Sequence, residues 1–239
     1  MRFFYAPNIA ETHELPTDEA SHALRVLRLN VGDEVYVLDG KGNIIKAIIS
    51  KISGKHCLLD IQSVVQEPKS WHGYIHLCVA PTKMMERMEW FCEKATEIGV
   101  DEISFIESRF SERKVIKTER IEKVVVSAVK QSHKIYMPKI NEIENFKNFI
   151  KRDFKGQKFI AHCYNQNELC INDEKPFLMD VLNTDDEALV MIGPEGDFSV
   201  DEVKEAIKVG FIPISLGNSR LRTETAALVA VHIMNIVKR

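Results

Sequence analysis

Two glycine-containing segments near the C-terminal end constrain the fold of this chain more than any other feature. Each follows an apolar run: residues 188–192 (ALVMI) precede GPEGDFS, and residues 211–216 (FIPISL) precede GNSRLRTETA. Both patterns predict a buried strand that ends in a tight turn and opens a helix. Ligands of open parallel sheets bind at the carboxyl ends of strands, where glycine lets the main chain approach them closely. The two segments therefore predict one small-molecule pocket built largely from main chain.

The pattern of predicted elements changes once along the chain, which indicates two domains. Residues 1–70 contain short strand patterns separated by turn signals, typical of a small, mostly antiparallel β-barrel. Residues 71–239 alternate strand and helix patterns, which indicates an α/β domain with a parallel sheet. The predicted strands are residues 2–6, 34–38, 44–52 and 56–65 in the first domain, and 75–80, 103–106, 159–163, 188–192 and 212–216 in the second.

Sequence signals in the second domain predict a helix after the first glycine segment and another at the end of the sequence. Ser199 and Glu202 have the spacing of a capping box, which predicts that a helix begins directly after that segment. The last helix, predicted for residues 224–237, is apolar enough to be buried on a core or a partner.

Charge is distributed unevenly, although the formal net charge is only −3. Residues 109–139 contain nine Lys or Arg and three Glu, whereas residues 161–239 contain seven basic and thirteen acidic side chains. A basic stretch beside an acidic region is typical of a surface that meets phosphate, but a solvated helix face gives the same pattern. Charge alone leaves both interpretations open.

Cysteine and histidine spacing favours a protein without a metal site or a disulfide framework. The five cysteines (57, 78, 92, 163 and 170) form no CxxC pair, three of them lie in apolar runs expected in the core, and the eight histidines have no metal-ligand spacing. No stretch approaches about 18 consecutive apolar residues, and the first residues lack the core of a signal peptide. We therefore expect a cytoplasmic protein with no membrane segment.

The two glycine segments resemble the C-terminal signature of the SPOUT class of RNA methyltransferases, and more narrowly that of the RsmE family. The family pattern runs GPEGG-F/L-S-x-x-E and then LG-x-R-I-L-R-T-E-T-A. This chain departs from it at Asp197, where a glycine is usual, and at Ser219 and Arg220, which replace an arginine–aliphatic pair. The long second block, LRTETA, makes coincidence a poor explanation.

The resemblance covers both halves of the chain. Residues 22–29 (HALRVLRL) and 31–33 (VGD) match the family's PUA-like RNA-binding barrel, and residues 85–89, 93–100 and 131–132 match its central blocks. It implies an α/β fold with a SPOUT-type parallel sheet and a C-terminal trefoil knot, preceded by the small PUA-like β-barrel, and it implies a homodimer. It also implies methylation of N3 of a uridine in 16S ribosomal RNA. Periodicity predicts neither the knot nor the dimer.

The implied cofactor is S-adenosylmethionine, to which the glycine loops can offer main-chain N–H and C=O groups. Gly196 and Gly217 are expected at positive φ, and Glu195 is expected to accept loop N–H groups rather than to lie beside the sulfonium. The alternative is that these glycines merely turn the chain. The predicted cofactor-binding residues are Ile192, Gly193, Pro194, Glu195, Gly196, Leu216, Gly217, Asn218, Leu221, Arg222 and Thr223.

Arg222 is also the candidate catalytic residue. Uridine N3 carries a proton, so either a base removes it or a cation stabilises the anion as it forms. Arg222 ends the second glycine turn, where we expect it to orient the substrate or stabilise that charge. The alternative is an ion pair with Glu224 or Glu195 that fixes the loop. No histidine or aspartate stands out as a general base.

Five basic residues are candidates for phosphate contacts with 16S ribosomal RNA or the small ribosomal subunit, because backbone contacts position an RNA and supply most of its affinity. They are Arg25, Arg28, Arg109, Arg113 and Lys134. Each of them alone is equally compatible with an ordinary surface charge.

Three other functions stay open at this point. A nucleotide-binding dehydrogenase is disfavoured because no GxGxxG follows an early strand, and no P-loop motif occurs. A non-catalytic RNA-binding or ribosome-assembly protein would not need the two glycine loops. A SPOUT methyltransferase acting on another RNA site would keep them. Binding of S-adenosylmethionine separates the methyltransferases from the other two classes.

Overall fold

Two β-sheets of different kinds organise the chain in a computed structural model, which describes residues 2–169 and 175–239. One sheet has four strands and the other has six. Cys170 lies outside the described residues. Cys57, Cys78 and Cys92 are buried free thiols, as expected of small core residues, whereas Cys163 is exposed.

The first compact unit combines Met1–Lys69 with Val126–Met137 and contains the four-stranded sheet. Its first pairing is parallel, and the next two are antiparallel, in agreement with the predicted, mostly antiparallel arrangement. Buried side chains such as Phe4, Val37 and Ile45 fill its core. The elements are β1 (Phe3–Tyr5), α1 (Ile9–Thr12), α2 (Thr17–Ser21), one turn of π-helix (His22–Val26), β2 (Glu34–Leu38), β3 (Asn43–Ser53) and β4 (His56–Gln66).

Residues 126–137 complete this unit through contacts that the sequence pattern does not reveal. They include the second half of a long helix, in which Lys130 Nζ lies 2.6 Å from Glu19 Oε1. The ring of His133 packs on the ring of Phe3, with 4.1 Å between the ring centroids. The sequence gives no sign of this because these residues simply continue a helical periodicity that begins in the other unit.

The second unit, Ser70–Val125 with Pro138–Arg239, contains a six-stranded sheet in which every pairing is parallel, as the alternating pattern predicted. Its strands are β5 (Tyr74–Val79), β6 (Glu102–Glu107), β7 (Lys139–Asn145), β8 (Gln157–Ala161), β9 (Glu187–Ile192) and β10 (Ile212–Ile214). The helices are α3 (Met85–Ile98), α4 (Thr118–Ser132), α5 (Phe146–Phe149), α6 (Gln166–Leu169), α7 (Leu178–Val181), α8 (Val200–Lys208) and α9 (Thr223–Val237).

Strand β7 was not predicted from the sequence. Its residues, KINEIEN, contain only two apolar side chains, because β7 lies at the edge of the sheet, and none of its residues is fully buried. An edge strand needs little apolar surface, so its sequence is hard to distinguish from a loop.

The strand order β10-β8-β9-β5-β6-β7 places three strand ends side by side. Because β8, β9 and β10 are neighbours and parallel, the loops that follow them leave from the same edge of the sheet. Strands β8 and β10 each end two residues earlier than predicted, so Cys163 and Leu216 lie in those loops rather than in the sheet. This edge is the place where parallel α/β sheets bind ligands.

The predicted capping box at the start of α8 is confirmed, and its glutamate also accepts a hydrogen bond from another segment of the chain. Ser199 Oγ accepts the Glu202 N–H at 3.3 Å, and Glu202 Oε2 accepts the Ser199 N–H at 2.8 Å. The other carboxylate oxygen of Glu202 accepts the main-chain N–H of Arg109 at 2.8 Å. This buried carboxylate therefore joins α8 to the segment after β6.

We expect Glu202→Ala to lower the free energy of unfolding by about 2–3 kcal/mol, because it removes the acceptor of two main-chain N–H groups. Glu205→Ala is the matched control on the same helix. Glu205 Oε1 lies 3.9 Å from Lys147 Nζ, and both side chains are exposed, so this ion pair contributes little to stability. The control should change stability by less than about 0.5 kcal/mol. Urea denaturation of the three proteins measures both effects, and equal losses for the two variants would contradict the role given to Glu202.

Candidate functional site

The loops after β8, β9 and β10 enclose a cavity of about 1010 Å³. All eleven residues predicted from the glycine segments line it, although the segments are separated along the chain by α8 and β10. The structure thus brings the two predicted segments together around one cavity. Lining residues that the sequence analysis did not assign to the pocket include Arg87, His162, Cys163, Tyr164, Lys175 and Arg220.

A buried hydrogen bond ties the two glycine loops to each other. The Thr223 hydroxyl donates to the carbonyl oxygen of Gly193 at 3.1 Å. A Cβ on Gly193 would lie 3.0 Å from the Phe198 nitrogen, so glycine lets the first loop fold closely on itself. Gly217 has a φ of +130°, as expected for a glycine turn, and a Cβ there would meet nothing within 4 Å.

The expectation of positive φ is wrong for Gly196, and the left-handed residue is its neighbour Asp197, with a φ of 66°. Aspartate tolerates this conformation better than most residues. Its carboxylate supports the turn, because Oδ1 accepts the Phe198 N–H and Oδ2 accepts the Cys163 N–H, each at 2.7 Å. The departure from the family glycine therefore links the β9 loop to the β8 loop. A Cβ on Gly196 would instead lie 3.1 Å from Cβ of Phe110.

Glu195 accepts a loop N–H group, as expected, and that group comes from another loop. Its Oε1 accepts the Lys83 N–H at 3.0 Å, in the segment between β5 and α3. Arg113 holds the same segment, since it donates to the carbonyl oxygens of Thr82 at 3.1 Å and Lys83 at 2.5 Å. The Arg113 guanidinium, proposed from sequence as a phosphate contact, is thus already engaged by two carbonyl groups.

Arg222 stands directly before α9 with an exposed side chain that lines the cavity. Neither alternative ion pair forms: Glu224 lies 3.6 Å from Arg87, and Glu195 binds the Lys83 N–H. Within residues 2–169 and 175–239, no hydrogen bond or ion pair engages the Arg222 guanidinium. Its charge is therefore available to a ligand.

His162 is one of the cavity side chains that sequence reasoning missed. It follows β8 and is only 8% exposed, yet neither ring nitrogen has a hydrogen-bond partner in the described part of the chain. Burial, and then the positive charge of Lys175, lower the pKa of His162 to about 4. The imidazole is thus neutral near pH 7. The available signal was a histidine at the end of a predicted strand, which is too common a pattern to single out.

The other predicted phosphate contacts are distributed over both units. Arg25 and Arg28 are exposed in the first unit, at and just after the π-helical turn, and Lys134 is half-buried in the same unit. Arg109 belongs to the second unit, where its exposed guanidinium lies 3.7 Å from Asp201.

Among residues 2–169 and 175–239, no group of three or more His, Cys, Asp or Glu side chains is arranged to hold a metal ion. None of the described helices combines the length and apolar character needed to cross a bilayer.

Two family models match the chain. A model described as an RNA methyltransferase domain matches residues 69–235, and a model described as an RNA methyltransferase PUA domain matches residues 15–62. The first covers most of the chain, including every strand of the parallel sheet.

Similar proteins give the same result. The ribosomal RNA small subunit methyltransferase E of Buchnera aphidicola is 30% identical over 225 residues, which cover 90% of this chain and 84% of that protein. A probable rRNA-methyltransferase from Porphyromonas gingivalis has a crystal structure that superimposes with a TM-score of 0.90 at 41% identity, covering 100% of this chain and 98% of that one.

A third similar protein was solved with a ligand. The ribosomal RNA small subunit methyltransferase E of Neisseria gonorrhoeae, bound to S-adenosyl methionine, superimposes with a TM-score of 0.84 at 26% identity, covering 99% of this chain and 97% of that one. With a PUA domain before a parallel α/β sheet, and with both glycine motifs around one cavity, the chain belongs to the RsmE family of RNA methyltransferases.

Proposed function

We propose that this protein transfers a methyl group from S-adenosylmethionine to a uridine of 16S ribosomal RNA. The observation that carries the proposal is the joining of the two glycine loops around one cavity, in a chain that matches an S-adenosylmethionine-bound relative over nearly its whole length. A non-catalytic RNA-binding protein would have no use for such a cavity.

The cavity fits the cofactor in size and in chemistry. Its volume of about 1010 Å³ lies at the upper end of the range usual for small-molecule sites. The open space at Gly217 lets a ligand approach the main chain of the second loop closely. When bound, the cofactor supplies an electrophilic methyl group on a sulfonium cation. We propose that all eleven predicted residues, from Ile192 to Thr223, hold it.

The target atom is proposed to be N3 of the uridine, on the strength of the family resemblance. Loss of the N3 proton leaves a negative charge on the base, which a nearby cation stabilises. Arg222 is the candidate because its guanidinium lines the cavity and no described carboxylate engages it. His162 does not suit the role of base, since a group with a pKa of about 4 is a poor proton acceptor near neutral pH.

The two predicted domains are proposed to divide the work, with residues 1–70 binding RNA and residues 71–239 carrying out the transfer. A C-terminal trefoil knot is part of the proposal. It is supported by the path of the chain, which reaches the sheet edge at β10 and then returns so that α9 packs on α3 and β5.

A homodimer is proposed because α3 and α9 also expose Trp90 and Ile236 to solvent. A protein acting on ribosomal RNA would work in the cytoplasm.

Cofactor binding is the first prediction. Calorimetry should show that the full chain binds S-adenosylmethionine with a micromolar Kd, and Gly217→Val should bind none at concentrations that saturate the wild type. The branched side chain would occupy the cavity and oppose the positive φ. Gly54→Val is the matched control, because Gly54 also has a positive φ and open space but lies between β3 and β4. Wild-type affinity in folded Gly217→Val would contradict the site, and no binding by the wild type would contradict the function.

RNA binding is expected to depend on exposed arginines of the first unit. Replacing Arg25 and Arg28 together by Gln should weaken binding to the small ribosomal subunit and lower the slope of log affinity against log salt by about two, while leaving the Kd for S-adenosylmethionine unchanged. Replacing the exposed Lys51 and Lys55 by Gln is the control of equal charge. If the control lowers the slope as much, the binding is not localised at the arginines.

The reaction itself is tested by mass spectrometry of nucleosides from 16S ribosomal RNA. A strain lacking the gene should lack one 3-methyluridine, and the wild-type copy should restore it. A strain with unchanged 3-methyluridine would overturn the substrate assignment.

Purified Arg222→Ala should turn over about 10²–10³ times more slowly, with a much smaller change in cofactor Kd. Arg222→Lys should recover part of the rate, because it keeps the charge. An equal loss of rate and cofactor affinity in Arg222→Ala would assign Arg222 to cofactor binding alone.

A further inference from the structure

His162 presents two buried polar atoms that the protein itself leaves unused. The side chain is 8% exposed and lines the candidate cavity, and across residues 2–169 and 175–239 neither Nδ1 nor Nε2 finds a hydrogen-bond partner. A buried polar group without a partner costs about 1–3 kcal/mol, so native proteins keep few of them. Such a group at the wall of a ligand cavity is explained if the ligand supplies the missing partner.

The main chain around His162 is firmly held, in contrast to its ring nitrogens. Lys175 Nζ donates to the carbonyl oxygen of His162 at 2.7 Å and to that of Tyr164 at 3.0 Å. The next N–H, that of Cys163, donates to Asp197 at 2.7 Å. The Tyr164 hydroxyl donates to the Phe198 carbonyl at 2.7 Å, which ties the β8 loop to the β9 loop. The main chain that carries the imidazole is therefore held in place, whereas the ring nitrogens have no hydrogen-bond partner within the described residues.

The protonation state of His162 decides what kind of partner it can take. Burial and the nearby Lys175 keep the pKa of His162 at about 4, so the ring is neutral near pH 7. A neutral imidazole offers one N–H donor and one nitrogen acceptor. It suits a neutral polar partner better than an ionic one, because a buried ion needs an opposite charge.

We infer that His162 is a positioning residue that hydrogen-bonds the adenosine half of S-adenosylmethionine. This inference rests on the proposed function. The adenosine half is uncharged and carries both donors and acceptors on its base and ribose, whereas the other half carries an ammonium and a carboxylate. The cavity lining also contains charged side chains, Arg87 among them, which suit that other half.

The experiment compares wild type and His162→Phe in binding to two ligands by calorimetry. S-adenosylhomocysteine contains both halves of the cofactor, and 5′-methylthioadenosine lacks the amino-acid end. His162→Phe should weaken both by about three- to tenfold, since one net hydrogen bond is lost. Without ligand, the melting temperature of the variant should be unchanged or higher, because an apolar ring of similar shape replaces two unpartnered polar atoms. The exposed His72 gives the control, His72→Phe, which should leave both affinities unchanged.

The possible outcomes separate the inference from the proposed function. Failure of wild type to bind S-adenosylhomocysteine overturns the function itself. If wild type binds and His162→Phe binds both ligands equally well, the inference is wrong. A loss seen with S-adenosylhomocysteine alone assigns the contact to the amino-acid half and also overturns the inference.

A second measurement keeps the test valid if His162→Phe does not fold. In wild-type protein labelled with ¹⁵N-histidine, one ring nitrogen of His162 should shift on saturation with either ligand, as expected when a neutral imidazole gains a hydrogen bond. Unchanged ring shifts would contradict the inference. His162→Asn or His162→Gln should restore most of the affinity, because their amides also carry a donor and an acceptor.

Discussion

The hydrogen bond from the Thr223 hydroxyl to the Gly193 carbonyl joins two loops that are 30 residues apart in the sequence. The candidate site depends on this hydrogen bond. Both groups are buried, so an unpaired carbonyl or hydroxyl there would carry a substantial free-energy cost. Glycine at position 193 permits the close packing of the first loop, because a Cβ would lie 3.0 Å from a main-chain nitrogen. The start of α9 is thereby fixed against the end of β9, and Arg222, one residue earlier, is fixed with it.

The polar and charged side chains around the cavity include two groups with different uses. Glu195, Asp197 and Lys175 are used on main-chain groups of neighbouring loops, and so they hold the walls. Arg222 and His162 make no such contact in the described ranges, and so they remain available to whatever enters. This division explains how a site built from loops can be rigid. Rigid placement is what methyl transfer requires, because its rate depends on alignment of the nucleophile.

Asp197 shows how a departure from a family pattern can preserve the structure that the pattern serves. A glycine at this position would adopt positive φ without strain, whereas aspartate adopts it at a modest cost. Its carboxylate offsets that cost by accepting two N–H groups, one of which belongs to the β8 loop. Aspartate therefore replaces the conformational freedom of glycine with two side-chain hydrogen bonds, and the loops after β8, β9 and β10 still line one cavity.

The sequence by itself determined the elements and the chemistry of the two loops. Apolar runs followed by glycine turns predicted β9, β10 and their loops, and the spacing of Ser199 and Glu202 predicted the start of α8, because these signals depend on neighbours along the chain. Tertiary structure decided the rest. It added β7, whose edge position requires few apolar residues, and it assigned residues 126–137 to the first unit. It also brought His162 to the cavity wall, since burial and a missing hydrogen-bond partner are properties of packing between distant segments and leave no local pattern in the sequence.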